Sequence, residues 1–377
     1  MFILHGPAGG AGKGGDPAVR REKNQYIFAS EAHRHHWARR IRTFLLLLIP
    51  LLAATALVGN FLVSRRVTFE ELRLTVLNLP EDLEQYSILH LSDLHGARYG
   101  ESQKAIRTAI GSARYSCVVM TGDMLGDGGD VEPLLELIAL MPKDTPKYYI
   151  PGDMDGDYLA SRAHSSLSVF ADWAIALQEA GVTILDRPVG ETRGKGTIWF
   201  VPEELYTVNL DNLEEVYRKQ LESMNARAAA LTPDDAARIR VLEYELARIA
   251  EIRETEALFG AEDIQVVLTH TPLTEEYINS VISWAGKEKY FSMRYASLIL
   301  AGHYNGGQWR IPLVGAVYVP ELGWFPPDEE VQGLSYPDGI PQYISPGLGS
   351  DPHFERQPGR LFNSPTVTRI TLTRYAR

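Results

Sequence analysis

The sequence contains very little cysteine and no excess of positive charge, and each scarcity excludes a class of function. Cys117 is the single cysteine among 377 residues, so the chain cannot form an internal disulfide or a cluster of metal-binding thiolates. The formal net charge is −11, which argues against nucleic acid as a partner, because a protein needs a basic face to displace counterions from phosphates. The chain is 45% hydrophobic, which is ample for one large domain or two modest ones.

One apolar segment is long enough to cross a membrane. Residues 43–64 carry no charged side chain, and a helix of this length spans a bilayer core of roughly 30 Å. A buried core helix and a cleaved signal peptide are the alternatives, the latter because Ala54-Thr55-Ala56 mimics a cleavage site. Cleavage there would expose an apolar N-terminus, so we expect an uncleaved, single-pass membrane anchor.

The residues on either side of the anchor predict a disordered tail and the orientation of the chain in the membrane. Residues 1–42 are rich in Gly, Arg and His and are expected to form a disordered basic tail. Residues 23–42 carry five Lys or Arg, against three in residues 65–84. The positive-inside rule then places the N-terminus in the cytoplasm and the large domain, residues 65–377, outside it.

After the anchor, short apolar runs alternate with helical stretches, which is typical of an α/β domain. Five of these runs end in polar side chains, and ligands bind beyond the carboxyl ends of strands in open α/β sheets. The side chains at the five endings are Asp93 and His95; Asp123 and Asp127; Asp153, Asp155 and Asp157; His270; and His303 and Asn305. Singly, each ending is also explained by a turn or a structural hydrogen bond. In succession, they predict a metal site of mixed carboxylate, imidazole and amide ligands.

The order and spacing of these residues resemble the calcineurin-like metallophosphoesterases, and in particular a membrane-anchored bacterial phosphodiesterase branch of that superfamily. The family pattern is D-x-H, G-D-x-x-D, G-N-H-D/E, H and G-H-x-H. The matching segments here are Asp93-Leu94-His95, Gly122-Asp123, Gly152-Asp153-Met154-Asp155, His270 and Gly302-His303-Tyr304-Asn305. The resemblance covers about residues 68–372 apart from one insertion. It implies a four-layer α/β/β/α sandwich of two mixed sheets, here preceded by one transmembrane helix.

The resemblance also implies a site for two divalent metal ions that clamp a phosphoryl group and activate a bridging water as the nucleophile. The implied ligands are Asp93, His95 and Asn305 for one ion, Asp153, His270 and His303 for the other, and Asp123 for both. Asn305 stands where the family has histidine, and Asp153 where it has asparagine. Both changes supply oxygen donors, which favours Mn²⁺, with Mg²⁺, Fe and Zn²⁺ as alternatives.

A third departure concerns the proton donor. Met154 replaces the family's histidine near the leaving group, and a thioether cannot donate a proton. The catalytic residue is therefore left unassigned. His164 and His353 are candidates to fill the role from elsewhere, although each is more typical of a structural residue at the surface.

Residues 204–262 form an insertion with two apolar stripes at helical spacing. The second stripe follows a capping sequence, Thr232-Pro233-Asp234-Asp235. We expect an antiparallel helical hairpin whose charged residues, including Glu245 and Arg248, face solvent. The hairpin could also cover the metal site, or contact the membrane or a protein partner.

These observations predict a membrane-anchored, metal-dependent phosphohydrolase that cleaves a phosphodiester or pyrophosphate in a small-molecule or lipid-linked substrate. The changes at Met154 and Asn305 leave a second hypothesis open. In it, the chain is a catalytically weakened or inactive descendant that acts as a binding or scaffold module. A third hypothesis is a helical-arm protein in which the hairpin binds a partner and the enzyme domain is incidental.

Overall fold

The structure, a computed structural model, describes residues 18–162, 167–227, 231–260, 262–285, 291–352 and 359–374. The chain divides into two compact units, Met1–Gly59 and Asn60–Arg377. The helices in chain order are α1 (Ala18–Arg65), α2 (Lys104–Ile110), α3 (Glu132–Ile138), α4 (Asp172–Glu179), α5 (Leu210–Asn225), α6 (Pro233–Glu256), α7 (Glu275–Ala285) and α8 (Asp328–Val331).

Helix α1 corrects one prediction. Residues 18–42 were expected to be disordered, but they are helical and continue into the apolar segment. No Gly or Pro occurs between Ala18 and Ile49, and Ala, Arg, Glu and Lys there are strong helix formers. The rest of the predicted tail, residues 1–17, lies outside the described residues. Within α1, Trp37–Arg65 is long and apolar enough to cross a membrane, with a mean hydropathy of 2.3.

Sixteen strands are formed by the described residues. In chain order they are β1 (Thr68–Val76), β2 (Ser87–Leu91), β3 (Cys117–Thr121), β4 (Lys147–Ile150), β5 (Thr183–Ile184), β6 (Val189–Arg193), β7 (Gly196–Pro202), β8 (Ile264–Leu268), β9 (Ala296–Ala301), β10 (Arg310–Ile311), β11 (Gly315–Ala316), β12 (Tyr318–Val319), β13 (Gly323–Trp324), β14 (Gly333–Ser335), β15 (Gln342–Ile344) and β16 (Thr366–Arg374).

Twelve of the strands build two six-stranded sheets, ordered β1-β16-β2-β3-β4-β5 and β14-β15-β9-β8-β7-β6. Strands β2 to β5 run parallel in the first sheet, and β7, β8, β9 and β15 run parallel in the second. Antiparallel pairs of β16 with β2, β15 with β14 and β7 with β6 make both sheets mixed. The remaining four strands form two short hairpins, β10–β11 and β12–β13.

The two sheets pack face to face, and helices cover their outer faces. Ile88 and Val119 of the first sheet share one buried cluster with Phe200 and Val266 of the second. The alternate residues of the first sheet pack against α2, α3 and α4, and those of the second against α6 and α7. Successive side chains of a strand point to opposite faces, so these largely apolar strands are buried on both sides. The predicted four-layer sandwich is confirmed.

Helices α5 and α6 form the inserted segment and pack on each other. Thr232 and Asp235 form a reciprocal capping box at the start of α6. Near the other end of α6, the guanidinium of Arg253 lies 2.6 Å from the carboxylate of Asp211, close to the start of α5. Contact between the start of one helix and the end of the other means that the two run antiparallel.

The predicted solvation of the charged residues on α6 is wrong at two positions. Glu245 and Arg248 are buried. Arg248 donates hydrogen bonds to the Glu245 carboxylate and to the Asp186 backbone oxygen, both at 2.8 Å. The packed face of α6 therefore includes paired charges beside its buried apolar side chains, and apolar periodicity marks only the latter.

Candidate metal centre

The predicted ligands lie at the carboxyl ends of five strands. Asp93, Asp123, His270 and His303 each follow the last residue of their strand by two positions, and Asp153 follows β4 by three. Two groups of potential ligand atoms result among the described residues, each within 4.8 Å: Asp93 with His95 and Asp123, and Asp123 with His270 and His303. Asp123 belongs to both groups. Carboxylates and imidazoles this close together have the chemistry of a divalent-metal site.

Asp123 is buried and held on both oxygens. Its Oδ1 accepts a hydrogen bond from the Met154 backbone nitrogen at 2.8 Å, and its Oδ2 lies 3.2 Å from His270 Nε2. Burial alone would raise the pKa of Asp123, but the hydrogen bond and positive charge of His270 outweigh it and lower the pKa. The Asp123 carboxylate is therefore ionised and available to a cation.

The His270 ring is oriented by the backbone. Its Nδ1 lies 2.8 Å from the Thr121 oxygen, so Nδ1 donates and Nε2 faces Asp123 and, at 3.2 Å, His303 Nδ1. Burial would lower the pKa of His270, but the Asp123 hydrogen bond and the charges of Asp93 and Asp123 raise it to about 9. An imidazole nitrogen that faces two carboxylates suits a cation, and a metal ion bound there would take the place of that proton.

Asn305 lies beside the first group of ligands. Its Nδ2 lies 3.3 Å from His95 Nε2 and donates to the His303 backbone oxygen at 3.2 Å. The Asn305 Oδ1 is buried and has no hydrogen-bond partner among the described residues. A Cβ added at Gly347 would meet both this oxygen and Asp93 Oδ2 at 3.3 Å. A buried oxygen without a donor, close to a carboxylate, fits a metal ligand.

The backbone at the site is left-handed at five of the predicted ligands. The φ angles are 53° at Asp93, 47° at His95, 53° at Asp123, 77° at His303 and 50° at Asn305. Non-glycine residues in this region cost roughly 1–3 kcal/mol each, and such strain concentrates at functional sites. In this structure the sharp turns after the strands turn the ligand side chains back toward one another.

Two glycines make the close approach of these turns possible. A Cβ at Gly122, which has φ 83°, would lie 2.6 Å from His270 Nδ1, and a Cβ at Gly302 would overlap the Ser92 hydroxyl. A larger residue at either position would push the strand ends apart. The Gly-Asp and Gly-His pairs of the sequence are therefore steric requirements of the site.

Asp155 positions the loops that carry the ligands. Its buried carboxylate accepts hydrogen bonds from three backbone nitrogens, those of Asp123 at 2.6 Å, Leu125 at 2.8 Å and Gly152 at 2.8 Å. The family resemblance gives this acid the task of orienting a histidine at position 154. In this chain Asp155 instead joins the turns after β3 and β4.

Asp153 and Met154 lie at the mouth of the site. The Asp153 side chain is 70% exposed, and its Oδ2 is 3.6 Å from His303 Nδ1, so the structure places it less tightly than the two groups above. Met154 is 43% exposed and contributes through its backbone nitrogen. Its thioether carries no proton for a leaving group. His164 and His353, the alternative donors, lie outside the described residues.

Three residues that the sequence did not single out also belong to the site. Glu321 Oε1 lies 3.4 Å from His303 Nε2, the nitrogen on the far side of the ring from His270. Arg360 is buried and donates to the Asn305 backbone oxygen at 3.1 Å, and Asn363 Nδ2 donates to the same oxygen at 2.7 Å. Burial lowers the pKa of Arg360 to about 10. For Arg360 and Asn363 the available signal in the sequence is this polar pair in Arg-Leu-Phe-Asn, shortly before β16.

Three comparisons with known proteins show what the chain is similar to. A family model described as calcineurin-like phosphoesterase matches residues 86–305. Among solved structures, the phosphopantetheinyl hydrolase PptH from Mycobacterium tuberculosis is 15% identical, with 76% of this chain and 96% of that chain covered and a TM-score of 0.36. The sulfate thiohydrolase SoxB from Thermus thermophilus is 11% identical, with 78% and 57% covered and a TM-score of 0.28. A search of curated proteins finds no significant match.

Proposed function

Since the chain belongs to the calcineurin-like phosphoesterase family and is a metal-dependent phosphoester hydrolase, we propose that it is membrane-anchored and cleaves a phosphodiester or pyrophosphate with two divalent ions. The observation that carries the dinuclear proposal is the membership of Asp123 in both ligand groups. A carboxylate shared by two sets of ligands is suited to bridging two ions.

The ligands assigned to the two ions follow the two groups. Asp93, His95 and Asn305 would hold one ion, and His270, His303 and the exposed Asp153 the other. Four oxygen-donor residues among the seven favour Mn²⁺ or Mg²⁺ over Fe or Zn²⁺. When bound, the ions would neutralise the phosphoryl oxygens and lower the pKa of a water molecule.

The chain's own residues hold the ligands rigid. Asp155 fixes the Asp123 turn, the Thr121 oxygen fixes the His270 ring, and Arg360 fixes the Asn305 backbone. Residues that orient metal ligands typically change affinity or activity by about 10- to 100-fold when they are removed. The metal site therefore depends on residues well outside the ligand set.

Met154 restricts the substrate class. Without a proton donor at this position, the leaving group must depart largely as an anion, and loss of a general acid costs about 10²- to 10⁴-fold in rate. A phosphoanhydride or another good leaving group is affected least. We therefore favour a pyrophosphate substrate over a simple alkyl phosphodiester.

The apolar stretch Trp37–Arg65 supports the membrane component of the proposal. An anchored enzyme meets substrates at the bilayer surface, so an amphiphilic, lipid-linked phosphate fits both the helix and the site. The balance of Lys and Arg on either side of the helix favours an extracytoplasmic catalytic domain.

The decisive experiment compares Asp123→Asn with Asp127→Asn. Both variants make the same chemical change four residues apart, but Asp127 belongs to neither ligand group. Hydrolysis of bis(p-nitrophenyl) phosphate with Mn²⁺ should fall by about 10²- to 10³-fold in the first, the size of effect seen when charge stabilisation at a reacting centre is lost. The second should retain wild-type activity. Equal activity in the wild type and Asp123→Asn would refute the proposal.

A second candidate function is a binding or scaffold module with weakened catalysis, favoured by the exposed thioether of Met154 at the mouth of the site. It predicts that wild-type turnover is barely above background and that Met154→His raises it strongly. A wild-type turnover well above background would rule this candidate out.

A further inference from the structure

Exposed apolar side chains concentrate on the two short hairpins β10–β11 and β12–β13, here called the apolar hairpins (residues 310–324). Leu313 is fully exposed, and Trp324 is 72% exposed. Other large apolar side chains exposed on or beside these hairpins are Ile311, Val314, Tyr318 and Phe325. Apolar groups that cluster on a surface in this way mark a site of interaction with another molecule or with a membrane.

The apolar hairpins carry very little charge at their exposed turns. Glu321 is the single charged residue between positions 311 and 327. Its carboxylate is turned toward the metal centre, where Oε1 lies 3.4 Å from His303 Nε2. The apolar hairpins therefore also carry a side chain, Glu321, that lies beside a predicted metal ligand.

A chain of hydrogen bonds joins the apolar hairpins to the last turn of α1. At one end, the backbone nitrogen of Arg310 donates to the Leu361 oxygen at 2.9 Å. At the other, the Phe362 nitrogen donates to the Asn60 Oδ1 at 2.7 Å, and the Ser64 hydroxyl donates to the Arg360 oxygen at 3.0 Å. The single segment 360–362 thus touches both the base of the hairpins and the residues where the apolar helix ends.

We propose that the apolar hairpins enter the headgroup region of a lipid bilayer beside the end of α1 and hold the metal centre at the lipid surface. This inference rests on the proposed membrane-anchored function and adds the way in which the site meets an amphiphilic phosphate. Asn60 then has a role near the end of the apolar helix, as the residue that secures segment 360–362 to it.

A bilayer fits this surface better than a second copy or a protein partner. A helix that crosses a membrane as far as Arg65 leaves the lipid at the turn that segment 360–362 contacts. Trp and Tyr concentrate at the headgroup level, where an amphipathic ring is half in lipid and half in water. Trp324 and Tyr318 face each other across β12–β13, with ring centroids 5.0 Å apart. The absence of basic residues between positions 311 and 327 indicates insertion through apolar contact and not attraction to anionic lipid.

The test places a fluorophore on the full-length chain in vesicles. Leu313→Cys is labelled with an environment-sensitive NBD group, while the native Cys117 is buried and does not react. The matched control is Leu77→Cys, also a strongly exposed leucine, at the far end of β1. The nine residues of β1 separate it from the end of α1 by about 30 Å. Both proteins are reconstituted in phosphatidylcholine vesicles that contain doxyl-labelled lipid, and flotation and hydrolysis of bis(p-nitrophenyl) phosphate are measured on the same samples.

The proposal predicts a blue-shifted emission and at least twofold quenching by the doxyl lipid at position 313, and neither at position 77. Flotation without quenching at 313, or equal quenching at both positions, would overturn the lipid contact while leaving the anchor intact. Shielding of position 313 in detergent that grows with protein concentration would assign the surface to a second copy instead. Failure to float would overturn the anchor and this contact together, and the hydrolysis assay reports separately on the proposed catalysis.

Discussion

The carboxylate of Asp155 accepts a hydrogen bond from the backbone nitrogen of Asp123 at 2.6 Å, and so the acid next to Met154 fixes the residue shared by both ligand groups. Met154 cannot use an orienting acid. Asp155 nevertheless remains buried, and hydrogen bonds from backbone nitrogens satisfy its side-chain oxygens. The loss of the histidine at position 154 has therefore left the framework of the metal centre intact.

Asp155→Asn should weaken Mn²⁺ binding by about 10- to 100-fold, the usual effect of losing a group that orients a metal ligand. The new amide can keep only one acceptor oxygen where the carboxylate serves three backbone donors. Calorimetric titration of metal-free protein with Mn²⁺ measures the change. Asp157→Asn, an exposed aspartate two residues away, is the control. Equal affinities in the two variants would contradict the role given to Asp155.

Arg360→Lys should destabilise the domain by about 1–3 kcal/mol, because a lysine cannot replace the forked guanidinium and would leave buried acceptors unpaired. The Arg360 side chain serves the backbone oxygens of Asn305, Pro346 and Gly349. Urea unfolding gives the free energy of unfolding. The same change at Arg98, a half-exposed arginine paired with Glu136, should cost about 0–1 kcal/mol. A similar loss of unfolding free energy in both variants would show that the buried Arg360 stabilises the domain no more than an exposed, ion-paired arginine does.

Met154→His should raise the rate most for substrates with poor leaving groups. A positioned general acid contributes about 10²- to 10⁴-fold, and a good leaving group benefits least from it. The measurement is kcat/KM over a series of phenyl phosphodiesters whose phenols differ in pKa. We expect a steeper dependence on leaving-group pKa in the wild type than in Met154→His. Met154→Gln, polar but unable to act as an acid, should keep the steep dependence, and parallel slopes in all three proteins would show that no acid is missing.

His90 should make the domain less stable in mild acid. The side chain is wholly buried between the sheets, and burial lowers the pKa of His90 from 6.5 to about 3. Below pH 6.5 the unfolded chain binds a proton that the folded chain does not, so the free energy of unfolding falls as pH decreases from 6.5, by up to about 1.4 kcal/mol per pH unit. Urea unfolding with EDTA between pH 6.5 and 5 measures this slope.

The control for this pH effect is His90→Phe, which cannot titrate. It removes the hydrogen bond to the Thr121 hydroxyl at 2.9 Å, so its absolute stability can change. The slope is the informative quantity, and it should become shallower by the contribution of one histidine. An unchanged slope would mean that His90 is not the titrating group.

The sequence could predict the parts of the site that follow from local pattern. Apolar runs identify the strands, and an Asp or His two residues after a strand, preceded by glycine at Asp123 and His303, is a local signal, so Asp93, Asp123, His270 and His303 could all be picked out. Whether these residues bind metal stays a prediction. Partners that reach the site from distant segments leave no such signal: Glu321 arrives on a short hairpin, and Arg360 acts through backbone oxygens.

The two errors have related physical causes. Averaging the composition over residues 1–42 hid the change from Gly-rich to helix-forming sequence at Ala18. On α6, the face that packs against the domain includes the Glu245–Arg248 pair, which hydrophobic periodicity counts as solvent-facing. Charges that satisfy each other on burial cannot be distinguished from surface charges by spacing alone.

The most direct test of the central claim is electron paramagnetic resonance of the Mn²⁺-loaded protein together with elemental analysis. If Asp123 bridges two ions, the wild type should hold two Mn²⁺ per chain with an exchange-coupled spectrum, and Asp123→Asn should lose the coupling. One Mn²⁺ per chain with an isolated six-line spectrum in the wild type would contradict the dinuclear centre. So would a coupled spectrum that survives in Asp123→Asn.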